Sequence, residues 1–195
     1  MTKPPPLTLR IIRSEHAALG AVLHSLQLMS RQASTQQPHF ESLRALLFYL
    51  DEFPEQRHHR KESELLFPKL RARTPLAREA LDELDAQHAR GERMIRELQH
   101  ALLAFEMLGE SRRGHFERVL QWYLEFYQRH IATEEREILP LAERMLSAQD
   151  WDELDEQFAR NRDGLAGTAP DDEYEALFSR ITHLVPAPLG LGPAR

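Results

Sequence analysis

The chain has 195 residues, 42% of them hydrophobic and 29% charged, which suits a globular protein of one domain with appendages. It contains no cysteine, so disulfides, thiolate catalysis, cysteine-bound zinc and iron–sulfur clusters are excluded. The net charge of −6, spread over interleaved acidic and basic residues, disfavours nucleic acid as a partner, and the absence of a long apolar run points away from a membrane and towards the cytoplasm.

No stretch alternates as a strand does, and the expected fold is all-α. Residues 1–7 form a proline-rich, disordered lead-in. A first helix runs from Thr8 to Ala33, with Leu9, Ile12, His16, Leu19, Leu23 and Leu26 on one stripe. After the polar loop Ser34 to Pro38, a second runs from His39 to Arg73. Pro54 removes one backbone donor and predicts a kink there; Pro68 disturbs the far end. Thr74 caps a third helix with Pro75 at its first position; Gly109 ends it after Leu108. Ser111 caps a fourth, which extends to Leu146. Short connections between four long helices predict an antiparallel up-down-up-down bundle over 8–147.

Residues 148–195 read as a C-terminal helical extension with a Pro/Gly-rich tail. Ser147 and Asp150 form a capping-box pattern opening a short helix to Asn161. A loop over Gly164 to Pro170 and another short helix over Asp171 to Leu184 follow. This part is expected to strap along the bundle or to form an oligomer contact.

Two strings stand out: His58-His-Arg-Lys-Glu62-Ser-Glu-Leu-Leu-Phe-Pro68 and His130-Ile-Ala-Thr-Glu134-Glu-Arg-Glu-Ile-Leu-Pro140. Each places a histidine and a glutamate four residues apart, on one helix face and one turn from each other. They belong to a repeat. A shift of 72 sets His16 on His88, His58 on His130, Glu62 on Glu134 and Pro68 on Pro140, with Ile12 on Leu84 and Leu23 on Ile95. It predicts two hairpins related by a pseudo-twofold axis.

A single His-x3-Glu is most often a solvated pair, and a lone histidine among leucines a satisfied core residue. Four histidines and two glutamates in register are different, because one core layer then buries them all. Buried carboxylates are costly unless paired or bound to a cation. The expected metal ligands are therefore His16, His58, Glu62, His88, His130 and Glu134. Six side chains are many for one zinc, which usually takes four ligands, but they suit two ions with Glu62 and Glu134 bridging. Nitrogen and oxygen donors with open positions favour iron over manganese, with zinc as a substitute.

These motifs resemble the hemerythrin-like (HHE cation-binding) family. The string Ser14-Glu-His16-Ala-Ala-Leu is also typical of it, and the likeness covers residues 8–147. The resemblance implies a non-haem di-iron site, bridged by carboxylate and by oxo or hydroxo, and a small ligand such as O2, NO or H2O2. Members bind or sense oxygen, respond to nitric oxide, repair iron centres or break down peroxide. Oxygen carriers have His-x3-His on the third helix and an aspartate five residues after the last histidine. Here the third helix has His88-x3-Glu92, and Glu134 stands at four. The pattern is nearer to the bacterial four-His, two-Glu branch linked to oxidative and nitrosative stress. The cysteine-containing segment of some repair proteins is absent.

Glu92, one turn from His88 and expected to face the core, is a further candidate ligand. Orienting an imidazole or pairing with Arg96 are its other roles. Tyr123 and Tyr127, on the His130 face, read as core packing, with one of them a candidate for a hydrogen bond to a ligand or bound oxygen species. Gly91 reads as a close helix contact or as room for a small ligand. His59, Glu15 and Glu135 are rotated by about 100° from the ligand face and read as structural or solvent-facing.

Overall fold

The structure, a computed structural model, describes residues 4–32 and 36–160 together with Leu177, Ser179, Ile181 and His183. Among these residues there is no strand, and four long helices make up the body. Helix α1 is Leu7–Ser30. Helix α2 is a continuous helical run over 37–73. Helix α3 is Arg78–Leu108. Helix α4 is a continuous run over 113–145, and a short helix α5, Ala148–Phe158, follows it. No described helix is long and apolar enough to cross a membrane.

Several helix ends differ from the sequence expectation. Thr74 does not cap α3. Its hydroxyl accepts from Leu76 N, and the turn through Pro75 continues until the helix opens at Arg78. Ser111 does not cap α4 either. Gly109–Arg112 coil as a 3₁₀ turn, and the Ser111 hydroxyl donates to Leu108 O. Gly109 ends α3 at φ 74°, a left-handed conformation that glycine adopts without a Cβ clash.

The prolines of α2 and α4 widen the helix rather than break it. His59 N bonds to Pro54 O, Phe67 N to Glu62 O and Leu139 N to Glu134 O, all i→i−5. Pro68 and Pro140 directly follow two of these donors and have no N–H to continue the narrower ladder. Wide turns of this kind are rare, and they often accompany functional sites. Two of the three begin at Glu62 and Glu134.

α1 packs on α2 and α4, and α3 packs on the same two helices. Their interior holds two apolar clusters. One gathers Leu19, Leu23, Leu26, Leu43, Leu46, Ile95, Leu98, Phe105, Leu120 and Tyr123, and Ile181 is buried in it. The other gathers Leu9, Ile12, Leu66, Phe67, Leu81, Leu84, Ile138 and Leu139. Burying each such side chain contributes about 1.5–3 kcal/mol. On every long helix the residues between the two clusters include histidine or glutamate.

α5 belongs to the second cluster through Trp151, Leu154 and Phe158. The Ser147–Asp150 capping box forms, and Arg73 adds two hydrogen bonds to the Asp150 carboxylate, which holds that carboxyl well below its usual range. α1 has no side-chain cap of its own, since Pro6 precedes it. Asp155 of α5 supplies one. Its carboxylate accepts from Leu7 N at 3.0 Å and from Thr8 N and Thr8 Oγ1 at 2.7 Å. Of the expected loop at 164–170, second short helix and tail, only the four isolated residues named above lie within the described set, and all four are helical.

Candidate metal centre

The polar layer between the clusters brings the six expected residues together. His16, His58, Glu62 and Glu134 place one donor atom each within 4.8 Å of one another; Glu62, His88, His130 and Glu134 do the same. The two nests share their glutamates. Each helix contributes through the same periodicity that builds its apolar stripe: His16 from α1, His58 and Glu62 from α2, His88 from α3, His130 and Glu134 from α4.

All four imidazoles turn Nε2 inward. His16 Nε2 lies 3.2 Å from His58 Nε2 and 3.2 Å from Glu134 Oε2. His58 Nε2 is 3.4 Å from Glu62 Oε2, and His130 Nε2 is 3.4 Å from Glu134 Oε2. His88 Nε2 stands 3.7 Å from Glu62 Oε2 and 3.8 Å from Glu134 Oε1. Metal–donor bonds of about 2.0–2.2 Å set neighbouring donors about 3 Å apart, so these spacings are close to what an ion requires.

The unsatisfied atoms make the same point. Both glutamates are fully buried, and all four of their carboxylate oxygens, with His88 Nε2 and His130 Nε2, lack a hydrogen-bond partner. Burial and the nearby Glu134 charge push Glu62 well above the carboxylate range. Burial also opposes ionisation of Glu134, but His130, His16 and His88 outweigh it and hold Glu134 well down. Two carboxylates so close need a proton or a cation between them. Burial works against protonating His16 too, yet the neighbouring Glu134 carboxylate and the hydrogen bond to Glu135 lift it to about 9. The layer is built to receive positive charge.

Known proteins give the layer a family. The model of the hemerythrin HHE cation binding domain matches residues 7–142. The chain belongs to this family. No curated protein and no solved structure matches it. As an HHE-domain protein it binds metal ions, and the matched span carries all six residues of the layer.

Some neighbours of this HHE layer are not where the sequence placed them. Glu92 does not face the core; its side chain is 45% exposed and pairs with Arg96 at 3.0 Å. Gly91 leaves no room for a ligand, because the Glu55 carboxylate occupies the space beside it. His59 is buried, stacked on His88 with ring centroids 4.2 Å apart and planes within 9°. Its nitrogens come near those of His88 and His130. Two rings stacked face to face cannot both hold one ion in their planes, so His59 lies beside the site rather than in it. Glu15 and Glu135 are not bystanders: they accept from Nδ1 of His58 and His16, each at 2.8 Å.

Tyr123 and Tyr127 are buried and direct their hydroxyls to Glu55 Oε1. Glu55 is the residue that sequence reasoning missed. Burial raises its carboxyl to about 8. Its spacing of four from His59, and the 72 residues separating it from Tyr127, were the available signals. Among the described residues, none of His24, His39, His100, His115 and His183 joins a histidine–glutamate group.

Proposed function

We propose that the layer holds two iron ions, one in each nest, with Glu62 and Glu134 between them. The sharing of both glutamates by two four-donor groups carries this reading. Iron there would supply a change of oxidation state and coordination positions open to a small ligand. The ligand class is O2, NO or H2O2, bound or sensed in a response to oxidative or nitrosative stress. The layer is closed to anything larger, since each of its six residues is at most 8% exposed. An open groove of about 430 Å³, lined by His16, Gly20, His24, Ile131 and Glu135 among others, reaches it from outside.

The alternation of the helices is part of the same reading. Along α1 and α3 the second cluster comes first and the first cluster last; along α2 and α4 the order reverses. This supports an up-down-up-down bundle of two related hairpins, whose pseudo-twofold axis passes between the nests.

One observation favours an enzyme, turning over peroxide, oxidising ferrous iron or reducing nitric oxide. Glu55, held high by burial, and two tyrosine hydroxyls form a proton-bearing group beside His59 and His130. Both readings begin from the same test. Anaerobically purified protein is assayed for metal per chain, and its absorption is followed on adding air, NO or H2O2. Two irons per chain with new visible bands support a di-iron site. Persistent bands indicate a binder, and consumption of many equivalents an enzyme. His58→Ala or Glu134→Ala should lose most of the iron; full iron content in both would overturn the ligand set.

A further inference from the structure

The inner nitrogens of the four histidines meet alike, but their outer nitrogens do not. His58 Nδ1 donates to Glu15 Oε2 at 2.8 Å and His16 Nδ1 to Glu135 Oε1 at 2.8 Å. His130 Nδ1 donates to Gln87 Oε1 at 3.0 Å. His88 Nδ1 donates to Ser63 Oγ at 2.8 Å, while the Ser63 hydroxyl donates to Asp85 Oδ1 at 2.6 Å. These partners obey the 72-residue shift, which sets Glu15 on Gln87 and Ser63 on Glu135. The positions repeat, and the charge does not. His16 and His58 share one nest, backed by two carboxylates. His88 and His130 share the other, backed by an amide and a hydroxyl. Asp85 stands one bond further out, and Arg71 Nη2 is 2.7 Å from its other oxygen. Arg13, 3.5 Å from Glu135, is 41% exposed and tempers that carboxylate only partly.

A carboxylate accepting Nδ1–H makes the opposite nitrogen of the imidazole a stronger donor, and loss of such a partner typically costs 10–100-fold in metal affinity. We propose that the two metal positions are unequal by construction: the His16/His58 nest retains its ion, and the His88/His130 nest is the exchangeable position that loads last and empties first. Glu15, Glu135, Gln87 and Ser63 are the positioning residues that set this order. The inference rests on the two-metal reading above.

The test is a chelator challenge of the full chain loaded anaerobically with ferrous iron, with release followed as the coloured chelate. The expected result is two phases of equal amplitude, separated by about 10–100-fold in rate. Glu15→Gln and Gln87→Glu exchange the residues of the two repeats with almost no change in shape. Glu15→Gln should speed the slow phase tenfold or more and leave the fast phase alone; Gln87→Glu should slow the fast phase. Residues that served only to pack would shift both phases together, or neither. Gln87→Glu adds a group rather than removing one, so the test stands even if Glu15→Gln folds poorly. Two ions leaving in a single phase, or the two variants moving the same phase in the same direction, overturns this proposal alone. Fewer than two ions per chain at the outset overturns the two-metal reading and the proposal with it.

Discussion

Tyr127 donates its phenolic hydrogen to Glu55 across the interior, and the two residues stand 72 positions apart, the interval that also separates His16 from His88 and Glu62 from Glu134. The repeat therefore sets a carboxyl against a phenol at matching positions, where one can hold the other. Tyr123 donates to the same oxygen at 3.3 Å. Glu55 Oε2 faces His59 Nδ1 at 3.2 Å, and burial keeps that imidazole neutral.

This arrangement has a pH signature. With its carboxyl at about 8, folded Glu55 keeps a proton that the unfolded chain releases near pH 4.3. Its stabilising contribution is full below the unfolded value and is lost as pH rises through about 8. Glu55→Gln keeps an acceptor for both tyrosines and cannot ionise. Between about pH 5 and pH 9 the wild type should lose stability relative to the variant, on the order of a few kcal/mol. Denaturant titrations at a series of pH values measure it; parallel profiles would show that Glu55 is ordinary.

The Glu55 carboxylate also decides what Gly91 can become. A Cβ added there would lie 2.7 and 2.9 Å from its two oxygens, and the tyrosines prevent that carboxylate from swinging away. Alanine in place of a mid-helix glycine ordinarily gains about 0.5–1 kcal/mol. Gly91→Ala should instead cost roughly 1–3 kcal/mol through overpacking. Gly20, exposed in the middle of α1 with open space around it, is the control, and Gly20→Ala should show the ordinary gain. Thermal melts of the two variants should shift in opposite directions. A gain at both positions would mean that the Glu55 carboxylate yields.

His59→Ala should keep its iron while losing roughly 2 kcal/mol or more of stability, because a buried ring leaves a cavity among His88, His130 and Tyr127. Metal analysis beside a melting curve separates the two effects, and loss of one ion per chain would make His59 a ligand. The sequence pattern led to the six residues of the polar layer because ordinary helical spacing governs each His-x3-Glu turn. It missed Glu55, which lies inside the wide turn over Asp51–His58, where a regular wheel does not hold; His59, read as structural or solvent-facing, is buried. Glu15 and Glu135 escaped for another reason. Each reaches to an imidazole on a neighbouring helix, and no single-helix projection shows that.

The capping of α1 by Asp155 is likewise illegible in sequence, since Thr8 and its acceptor stand 147 positions apart. Asp155→Ala leaves Leu7 N and Thr8 N without their partner and should cost about 1–2 kcal/mol, the range found for N-cap loss. A chain truncated before Ala148 should lose more, because Trp151, Leu154 and Phe158 leave the second cluster as well. An unchanged melting temperature for both would mean that α5 is an accessory to the bundle.

Glu62 separates the cost of the site from its use. Its two oxygens have no hydrogen-bond partner, and it stands against a second buried carboxylate, so within the protein fabric its charge is a liability. Glu62→Gln removes that charge with the shape retained. In chelator the variant should melt higher than the wild type. With ferrous iron under anaerobic conditions the order should reverse, because bound metal stabilises only the chain that can bind it, by about 2.7 kcal/mol when iron is at a hundred times its dissociation constant. A crossing of the two melting temperatures with metal distinguishes a ligand from a structural carboxylate. A variant that melts lower in both conditions would show that Glu62 holds the helices together without any ion.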